Sequence, residues 1–574
     1  MSKLLLGHNA SGRAVELAAS DRETHMHVIG SSGSGKSKFL ESLMRSDIQS
    51  QQGFCLIDPH GSLYRDVLNF CSHRVSRREI VLLDLSDPKS IVGFNPFRKS
   101  NGDVSTQAGS RISATMHAWG VANTDQTPTL ERTLRLIYTV LLEQDLPFHF
   151  AQFLIDFNSH EIREHLIEKI ESPLIRREWE ELQELKAKDW RAEILSVKNR
   201  LFRFLTSKTL TRFFNSSGGA IDVADIIEKG KILLVNLAPS DHLSAENARV
   251  FGALLVNEFF EVARRRVAAP GRTLKPYYLY LDEFQTFVSL DITAMLDQVR
   301  KYKLFTVLAH QRFGQLDENL SDAVLTNCRI KAVFGGLRVE MAKMMAEELF
   351  IGELDPMKVK VAIYQTKFWP QYSRDKVYSR SWSTGQSHGE GQNAASGYSS
   401  ESTASEFFQP QDWFGDALVG TTASLVHGSS SAHGHHTNTT RFEGDADGEA
   451  DVPIMLPVPF QELSSVQYFS TEEQLIQLTA ALKEQFGRHC FIKIHHQKTQ
   501  PMRVPFVEEY HTPAQNKKWY EDRLFTSAGA VPAEAVDAAI AEEESALLQS
   551  VRPKGDVKER NIGREAQFDI LGRE

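Results

Sequence analysis

The chain has 574 residues, a formal net charge of −9, 41% hydrophobic residues and 24% charged residues. This length exceeds one ordinary domain and allows about three or four, and the hydrophobic fraction suffices for a large core. The negative charge argues against a protein coated in nucleic acid but leaves room for a local basic channel. The sequence shows no apolar run near the roughly 18 residues of a membrane helix and no signal peptide at its start. The cysteines, Cys55, Cys71, Cys328 and Cys490, lack metal-ligand spacing, so we predict a cytoplasmic location.

A glycine-rich segment follows the first strongly apolar strand pattern. Residues 1–24 are short and polar, and we expect an edge strand and a loop there. Residues 25–29 predict a buried strand, and the apolar spacing of residues 38–44 predicts a helix. The segment between them matches GxxxxGK[ST] and consists of Gly30, Ser31, Ser32, Gly33, Ser34, Gly35, Lys36 and Ser37. This pattern in this context is typical of a phosphate-binding loop, although a chance glycine- and serine-rich turn is the alternative.

Each residue type in this segment has a physical use. Glycines let the backbone wrap around a phosphate without Cβ clashes, and the N–H groups of the loop and of the helix start then face the anion. Lys36 is predicted to reach the β- and γ-phosphates of ATP, and the Ser37 hydroxyl to hold Mg²⁺. We include Lys38, in the first turn of the helix, among the nucleotide-binding residues.

Further apolar runs alternate with helical patterns along the next stretch. This βαβ rhythm predicts a mostly parallel sheet covered by helices on both faces, that is, an α/β fold. No strand pattern appears between about residues 99 and 216, where helical patterns follow one another. The other predicted strands of the sheet are residues 53–58, 80–84, 232–237, 277–281, 304–309 and 330–334.

Composition divides the chain further. Residues 373–451 are rich in Ser, Gly, His and Thr with few large apolar side chains, which predicts a disordered linker. Residues after 451 show a capped helix and two short strands, which predicts a small α+β unit. The predicted domains are the core in two parts (1–98 and 217–372), an all-α insertion (99–216), the linker (373–451), the α+β unit (452–525) and a helical, charged tail (526–574).

Polar side chains follow two predicted strands of the core. Asp282 and Glu283 end the strand at 277–281, and Gln311 ends the strand at 304–309. In P-loop hydrolases an Asp at such a position helps to hold Mg²⁺, and an adjacent Glu orients and deprotonates the attacking water. A polar side chain such as Gln311 can sense the γ-phosphate. The alternative for the two acids is a solvated strand end.

In their order and spacing these motifs resemble the HerA/FtsK-like branch of RecA-fold ATPases. The similarity is greatest to the TraG/TraD-type conjugative coupling ATPases and their soluble HerA-like relatives. It is carried by residues 27–30 and 35–37, 57–61, 281–283 and 308–311, and it extends over about residues 20–350. The all-helical insertion also resembles the coupling-protein group. Coupling ATPases usually begin with membrane helices and HerA proteins with a β-barrel, and we expect neither here.

The resemblance implies further roles. Asp58 matches an acid near the metal and the water, Glu283 the catalytic base and Gln311 the sensor. The family works as rings, usually hexamers, in which a neighbouring subunit supplies an arginine to the nucleotide. Arg300 is the best match to that arginine and Arg312 the second, and a helix-end arginine without this role is an equal alternative for Arg300.

Three functions compete at this point. The first is an ATP-driven ring motor that moves DNA, held mainly by its backbone. The second is an ATP-gated oligomeric scaffold that recruits an effector, relaxase or membrane-channel partner, as in defence or secretion complexes. The third, a metabolic kinase, is weaker, because Glu283 and Gln311 suit hydrolysis better than phosphoryl transfer to an acceptor.

Overall fold

The computed structural model describes residues 3–100, 102–121, 127–215, 220–266, 274–288, 296, 298, 300–311, 318–389, 393–409, 417–433 and 438–551. The chain divides into two compact units. The first contains residues 1–354 and 471–574, and the second contains residues 355–470.

Most strands belong to one sheet in the first unit. In chain order the strands are β1 (Leu4–Asn9), β2 (Ala14–Leu17), β3 (Met26–Ile29), β4 (Gly53–Asp58), β5 (Ile80–Asp84), β6 (Ser90–Ile91), β7 (Ile232–Asn236), β8 (Tyr277–Leu281), β9 (Leu304–His310), β10 (Ile330–Phe334), β11 (Val359–Gly389), β12 (Asn393–Gln409), β13 (Ala417–His433), β14 (Asn438–Tyr468), β15 (His489–Ile494), β16 (Gln500–Arg503) and β17 (Val531–Pro532).

The main sheet has eleven strands in the order β2-β1-β16-β15-β10-β3-β9-β8-β4-β7-β5. From β10 to β5 every neighbouring pair is parallel. The strands from β15 to β2 add an antiparallel extension beyond β10. The predicted RecA-like, mostly parallel sheet is therefore confirmed, and each of its parallel strands lies at a predicted position.

The parallel strands are buried on both faces, and alternating side chains enter different cores. In β4, Phe54 and Leu56 pack with the helices that follow the phosphate loop, and Cys55 and Ile57 pack towards the insertion helices. Short, continuously apolar strands suit such double burial. The helices of the described residues are α1 (Ala19–Arg22), α2 (Lys36–Gln49), α3 (Ser62–His73), α4 (Val104–Ala118), α5 (Pro128–Glu143), α6 (Ala151–Ile155), α7 (His160–Ile167), α8 (Pro173–Gln183), α9 (Ala187–Leu205), α10 (Lys208–Asn215), α11 (Val223–Lys229), α12 (Ala245–Arg265), α13 (Glu318–Asn327), α14 (Val339–Phe350), α15 (Thr471–Lys483), α16 (Ala514–Ser527) and α17 (Ala533–Val551).

The described part of the insertion contains helices joined by turns and no strands, and α4 to α10 lie between β6 and β7. The tail helix α17 packs against it: Asp537 accepts two hydrogen bonds from Arg212, at 2.7 and 2.8 Å. The side-chain amide of Gln152 donates to Glu544 at 2.7 Å. The tail helix thus belongs to the first unit, and residues 552–574 of the predicted tail lie outside the described residues.

The segment after residue 451 differs from the predicted separate α+β unit. Its two predicted strands are β15 and β16, and they pair with β10 and β1 of the main sheet. Ile492 and Ile494 of β15 and Met502 of β16 are buried in the same core as α2. These apolar side chains are buried by joining the main sheet, so the segment extends the core instead of forming a domain of its own.

The second unit also differs from its prediction. Where composition predicted a disordered linker, β11, β12, β13 and β14 form a four-stranded antiparallel sheet in the order β13-β12-β11-β14. Thr, Tyr, Val and Phe favour strands, and ladder hydrogen bonds satisfy the polar backbone even where few large apolar side chains are available.

A search of the described residues for helices long and apolar enough to cross a membrane finds none. All four cysteines are buried free thiols.

Candidate functional site: a phosphate loop at the carboxyl edge of the sheet

Parallel strands bring the predicted motifs together. The phosphate loop follows β3, Asp58 ends β4, Asp282 and Glu283 follow β8, and Gln311 follows β9. In the sheet β9 lies between β3 and β8, and β4 lies on the far side of β8. Because carboxyl ends of parallel strands share one edge, these side chains meet at that edge, where open α/β sheets bind ligands.

The loop backbone adopts the conformations that its glycines allow. Gly33 has φ +77° and Gly35 has φ +105°, both in the left-handed region that favours glycine. Ser34 N–H donates to the Ser31 carbonyl at 3.3 Å, which closes the turn. Helix α2 begins at Lys36, so its first N–H groups point into the loop. Gly30 is also required, because an added Cβ would lie 2.5 Å from Cβ of Phe334.

Glu283 is the centre of a side-chain cluster beside the loop. Lys36 Nζ lies 3.3 Å from Glu283 Oε1, and Gln311 Nε2 donates to the same oxygen at 2.7 Å. The other oxygen, Oε2, accepts from Gln285 Nε2 at 2.8 Å. Glu283 itself has φ +46°, an uncommon conformation for a residue other than glycine. The structure thus brings Lys36, Glu283 and Gln311 together as predicted.

The two adjacent acids are in different electrostatic states. Burial acts to raise the pKa of Glu283, but the Lys36 charge and the hydrogen bonds from Gln285 and Gln311 outweigh it, so this pKa is lowered. Burial, together with the charges of Asp58 and Glu283, raises the pKa of Asp282 to about 6, against the opposing charge of Lys36. Two carboxyl groups with pKa values pushed apart are a frequent mark of a functional site.

Asp58 lies fully buried at the end of β4. Its two carboxylate oxygens accept hydrogen bonds from the backbone N–H groups of His60 and Tyr64, each at 2.8 Å. These bonds fix the turn into α3 and hold the charge near Asp282. The catalytic role implied for Asp58 therefore stays a prediction, and what the structure displays is a positioning role.

The remaining predicted residues are placed less directly. Ser32 is exposed in the loop, and Ser37 is exposed in the first turn of α2. The Lys38 ammonium contacts Glu41 at 2.9 Å, Asp66 at 2.8 Å and Glu509 at 3.9 Å, which directs its charge towards carboxylates. Arg312 lies outside the described residues. Only the backbone of Arg300 is described, at the start of a 3₁₀ helix, Arg300–Tyr302.

Two contributions to this edge were missed by sequence reasoning. Gln285 follows Glu283 by two residues, and this closeness in sequence to Glu283 is the signal that could have identified it. The turn before β15 packs on the loop: Arg488 N–H donates to the Ser34 carbonyl at 2.8 Å. An added Cβ on Gly35 would lie 2.9 Å from that same nitrogen. This second contact joins segments far apart in sequence, so no local pattern predicts it.

The residues present fit a magnesium nucleotide. The left-handed glycines leave the loop open where a Cβ would fill it, and buried Oδ1 of Asp282 has no hydrogen-bond partner among the described residues. Carboxylate and hydroxyl oxygens are the ligands that Mg²⁺ prefers. Asp282 and Ser37 are therefore the side chains that would hold the ion.

The fold and this site combine a P-loop motif with a RecA-like, mostly parallel sheet. Residues 276–369 match the family model described as the TraM recognition site of TraD and TraG. This segment carries Asp282, Glu283 and Gln311, so the match includes the residues that follow β8 and β9 at the site.

Solved structures of related folds were also matched. An unbound form of the bacterial conjugative coupling protein TrwB is 13% identical, over 89% of this chain and 91% of that chain, with a TM-score of 0.47. A complex of TrwB with ADP and Mg²⁺ is 13% identical over 89% and 92%, with a TM-score of 0.46. VirB4 of Thermoanaerobacter pseudethanolicus is 13% identical over 60% and 88%, with a TM-score of 0.40. TM-scores below 0.5 are too low to transfer properties from these structures. No curated protein matches the chain in sequence.

Proposed function

We propose that this protein binds ATP with Mg²⁺ and hydrolyses it to drive a ring-shaped DNA motor. The observation that carries the hydrolysis is the contact of Glu283 with both Lys36 and Gln311 beside the phosphate loop. A carboxylate held by a lysine and two amides is oriented for proton transfer, and its lowered pKa keeps it ionised at neutral pH.

The chain's own residues divide the chemistry. The loop N–H groups and Lys36 would bind the phosphates. If the Lys36 ammonium exchanged its contact with Glu283 for one with the γ-phosphate, Glu283 would be free to accept a proton from the attacking water. Gln311 then positions that water or senses the phosphate. Bound Mg²⁺, held by Ser37 and Asp282, would neutralise phosphate charge.

The position of Arg300 supports a ring. Arg300 precedes β9, whereas Gln311 follows it. A strand of this length spans roughly 20 Å, so the Arg300 backbone lies near the edge of the sheet opposite the phosphate loop of its own chain. An arginine at that edge suits the nucleotide of a neighbouring copy, as a hexamer would require. The trans role of Arg300 or Arg312 remains a proposal.

The family description favours a recruitment role alongside the motor. The model that matches residues 276–369 is named for recognition of TraM. By extension we propose that this segment contacts a DNA-processing or channel partner. Recruitment gated by ATP, without DNA movement, is the second candidate function.

ATPase assays on purified protein test the proposal. Double-stranded DNA should raise the turnover of the unaltered chain, with stimulation that declines as salt rises. Glu283→Gln should keep ATP affinity and lose turnover by about 10²-fold or more, and Lys36→Ala should lose ATP binding. Exposed Glu340 offers a matched control, since Glu340→Gln should behave like the unaltered protein.

Two results would count against the proposal. Near-normal turnover in Glu283→Gln would show that another group is the base. ATPase activity that ignores DNA at every length and salt concentration would remove the motor and leave the recruitment role.

A further inference from the structure

The phosphate loop is contacted on one side by a turn from the carboxyl-terminal part of the chain. The contact from Arg488 N–H to the Ser34 carbonyl, at 2.8 Å, joins this turn to the loop. Gly335, at the end of β10, accepts from the Ser31 hydroxyl at 3.1 Å. An added Cβ on Gly335 would lie 2.6 Å from the Gln485 carbonyl oxygen. The turn, the end of β10 and the loop therefore form one close-packed wall.

This wall lies opposite the hydrolytic cluster. In the sheet order, β10 and β15 lie on one side of β3, and β9 and β8 lie on the other. Glu283 and Gln311 are on the β8 and β9 side, which is where the terminal phosphate must lie to meet them. A nucleotide whose terminal phosphate met these two side chains would extend its base away from them, towards the turn before β15.

The turn presents aromatic and cationic surface there. Phe486 is 82% exposed and Phe506 is 74% exposed, so both rings are open to a ligand from solvent. The Arg488 guanidinium lies 5.3 Å from the Phe506 ring centroid. Its Nη2 donates to the Val504 carbonyl at 3.0 Å, and Val504 N–H donates to the Arg488 carbonyl at 2.9 Å. These bonds hold Val504, two residues before Phe506, beside the turn.

We propose that Phe486, Arg488 and Phe506 form the subsite for the base of the bound nucleoside triphosphate. Flat aromatic and guanidinium faces bind nucleobases by stacking, which tolerates different bases because each has a π-face. The subsite accepts adenine and guanine with similar affinity and contributes binding, not base selection. This inference rests on the proposed function, because it assumes that the loop binds a nucleoside triphosphate.

The contribution of the base subsite to affinity can be separated from that of the phosphate loop. This is done by comparing Kd for nucleoside triphosphates with Kd for inorganic tripolyphosphate. Titration calorimetry on the full chain with Mg²⁺ would measure Kd for ATP, GTP and inorganic tripolyphosphate. In the double variant Phe486→Ala, Phe506→Ala, Kd for ATP and GTP should rise on the order of ten-fold or more. Kd for tripolyphosphate should not change. Phe486→Tyr with Phe506→Tyr should retain the affinity of the unaltered chain, since tyrosine keeps the stacking face.

Trp519 is 55% exposed on α16, so Trp519→Ala controls for loss of an exposed aromatic elsewhere and should leave every Kd unchanged. Unchanged ATP affinity in the double alanine variant, or an equal loss for ATP and tripolyphosphate, would overturn the subsite while sparing the proposed function. An unaltered chain that binds neither ATP nor tripolyphosphate would overturn the proposed function and the subsite with it.

Discussion

His27 and His310 face each other inside the sheet, directly below the phosphate loop. Both are fully buried, and their Nε2 atoms lie 2.8 Å apart. One ring must donate and the other accept across this distance, so the accepting imidazole must be neutral. Burial, helped by the charges of His310 and Lys331, lowers the pKa of His27 well below its ordinary value. Protonation of His27, directly below the phosphate loop, is therefore disfavoured in the folded chain.

His27 makes the free energy of unfolding depend on pH. The folded-state pKa of His27 is depressed, so in acid the unfolded chain binds this proton first. Its contribution to stability is present above about pH 6.5 and is lost as pH falls below that value. The slope of the unfolding free energy against pH, from urea titrations between pH 6.5 and 5, should be shallower in His27→Asn by up to about 1.4 kcal/mol per pH unit. Exposed His242→Asn should keep the slope of the unaltered chain, and an equal slope in His27→Asn would contradict the assignment.

Among the helices, α12 fixes the segment that carries Glu283. The segment after β8 runs from Asp282 to Val288, and its Phe287 ring packs against α12 at Gly252. An added Cβ on Gly252 would lie 2.3 Å from Cδ1 of Phe287, far inside contact distance. Gly252 therefore determines how closely residues 282–288 approach α12. The position of Glu283 depends on this packing.

Gly252→Ala should therefore disturb catalysis from outside the site. Displacement of Phe287 should move Glu283 relative to Lys36, lowering turnover about ten-fold or more while ATP affinity changes little. Overpacking of this kind typically costs about 1–3 kcal/mol of stability. Gly109 offers a matched control, because it is also helical and its added Cβ would meet only Arg135, at 3.8 Å. Full turnover in Gly252→Ala would mean that the segment tolerates the shift.

In the whole molecule, the local pattern of a strand could be predicted from the sequence, but its pairing with a distant segment could not. Strands such as Gly53–Asp58 could be predicted because a short apolar run buried on both faces has a clear local pattern. The pairing of His489–Ile494 with Ile330–Phe334 could not, since the partners of an antiparallel extension are chosen by tertiary packing. The contact between Arg488 and Ser34 could not be predicted for the same reason. For residues 373–451, composition outweighed the strand preference of Thr, Tyr, Val and Phe in the prediction.

The second unit begins and ends at one place in its own ladder. Lys358 and Phe469 lie side by side, joined by a hydrogen bond from Phe469 N–H to the Lys358 carbonyl at 3.0 Å, and Val359 pairs with Tyr468. The strands of the main sheet and the predicted site residues that the structure describes belong to the first unit. The chain between Lys358 and Phe469 is thus an insertion whose ends already meet.

Replacing residues 359–468 by an Asn-Gly turn should therefore leave the first unit folded. Asn-Gly closes a two-residue hairpin between paired strands with little strain, and β15 and β16 keep their partners. Circular dichroism and urea unfolding should show a cooperative transition, and Kd for ATP should stay within about two-fold of that of the full chain, because no loop contact is removed. The Lys36→Ala form of the shortened chain provides the non-binding control. An insoluble product, or a folded one that has lost ATP affinity, would show that residues 359–468 support the nucleotide site.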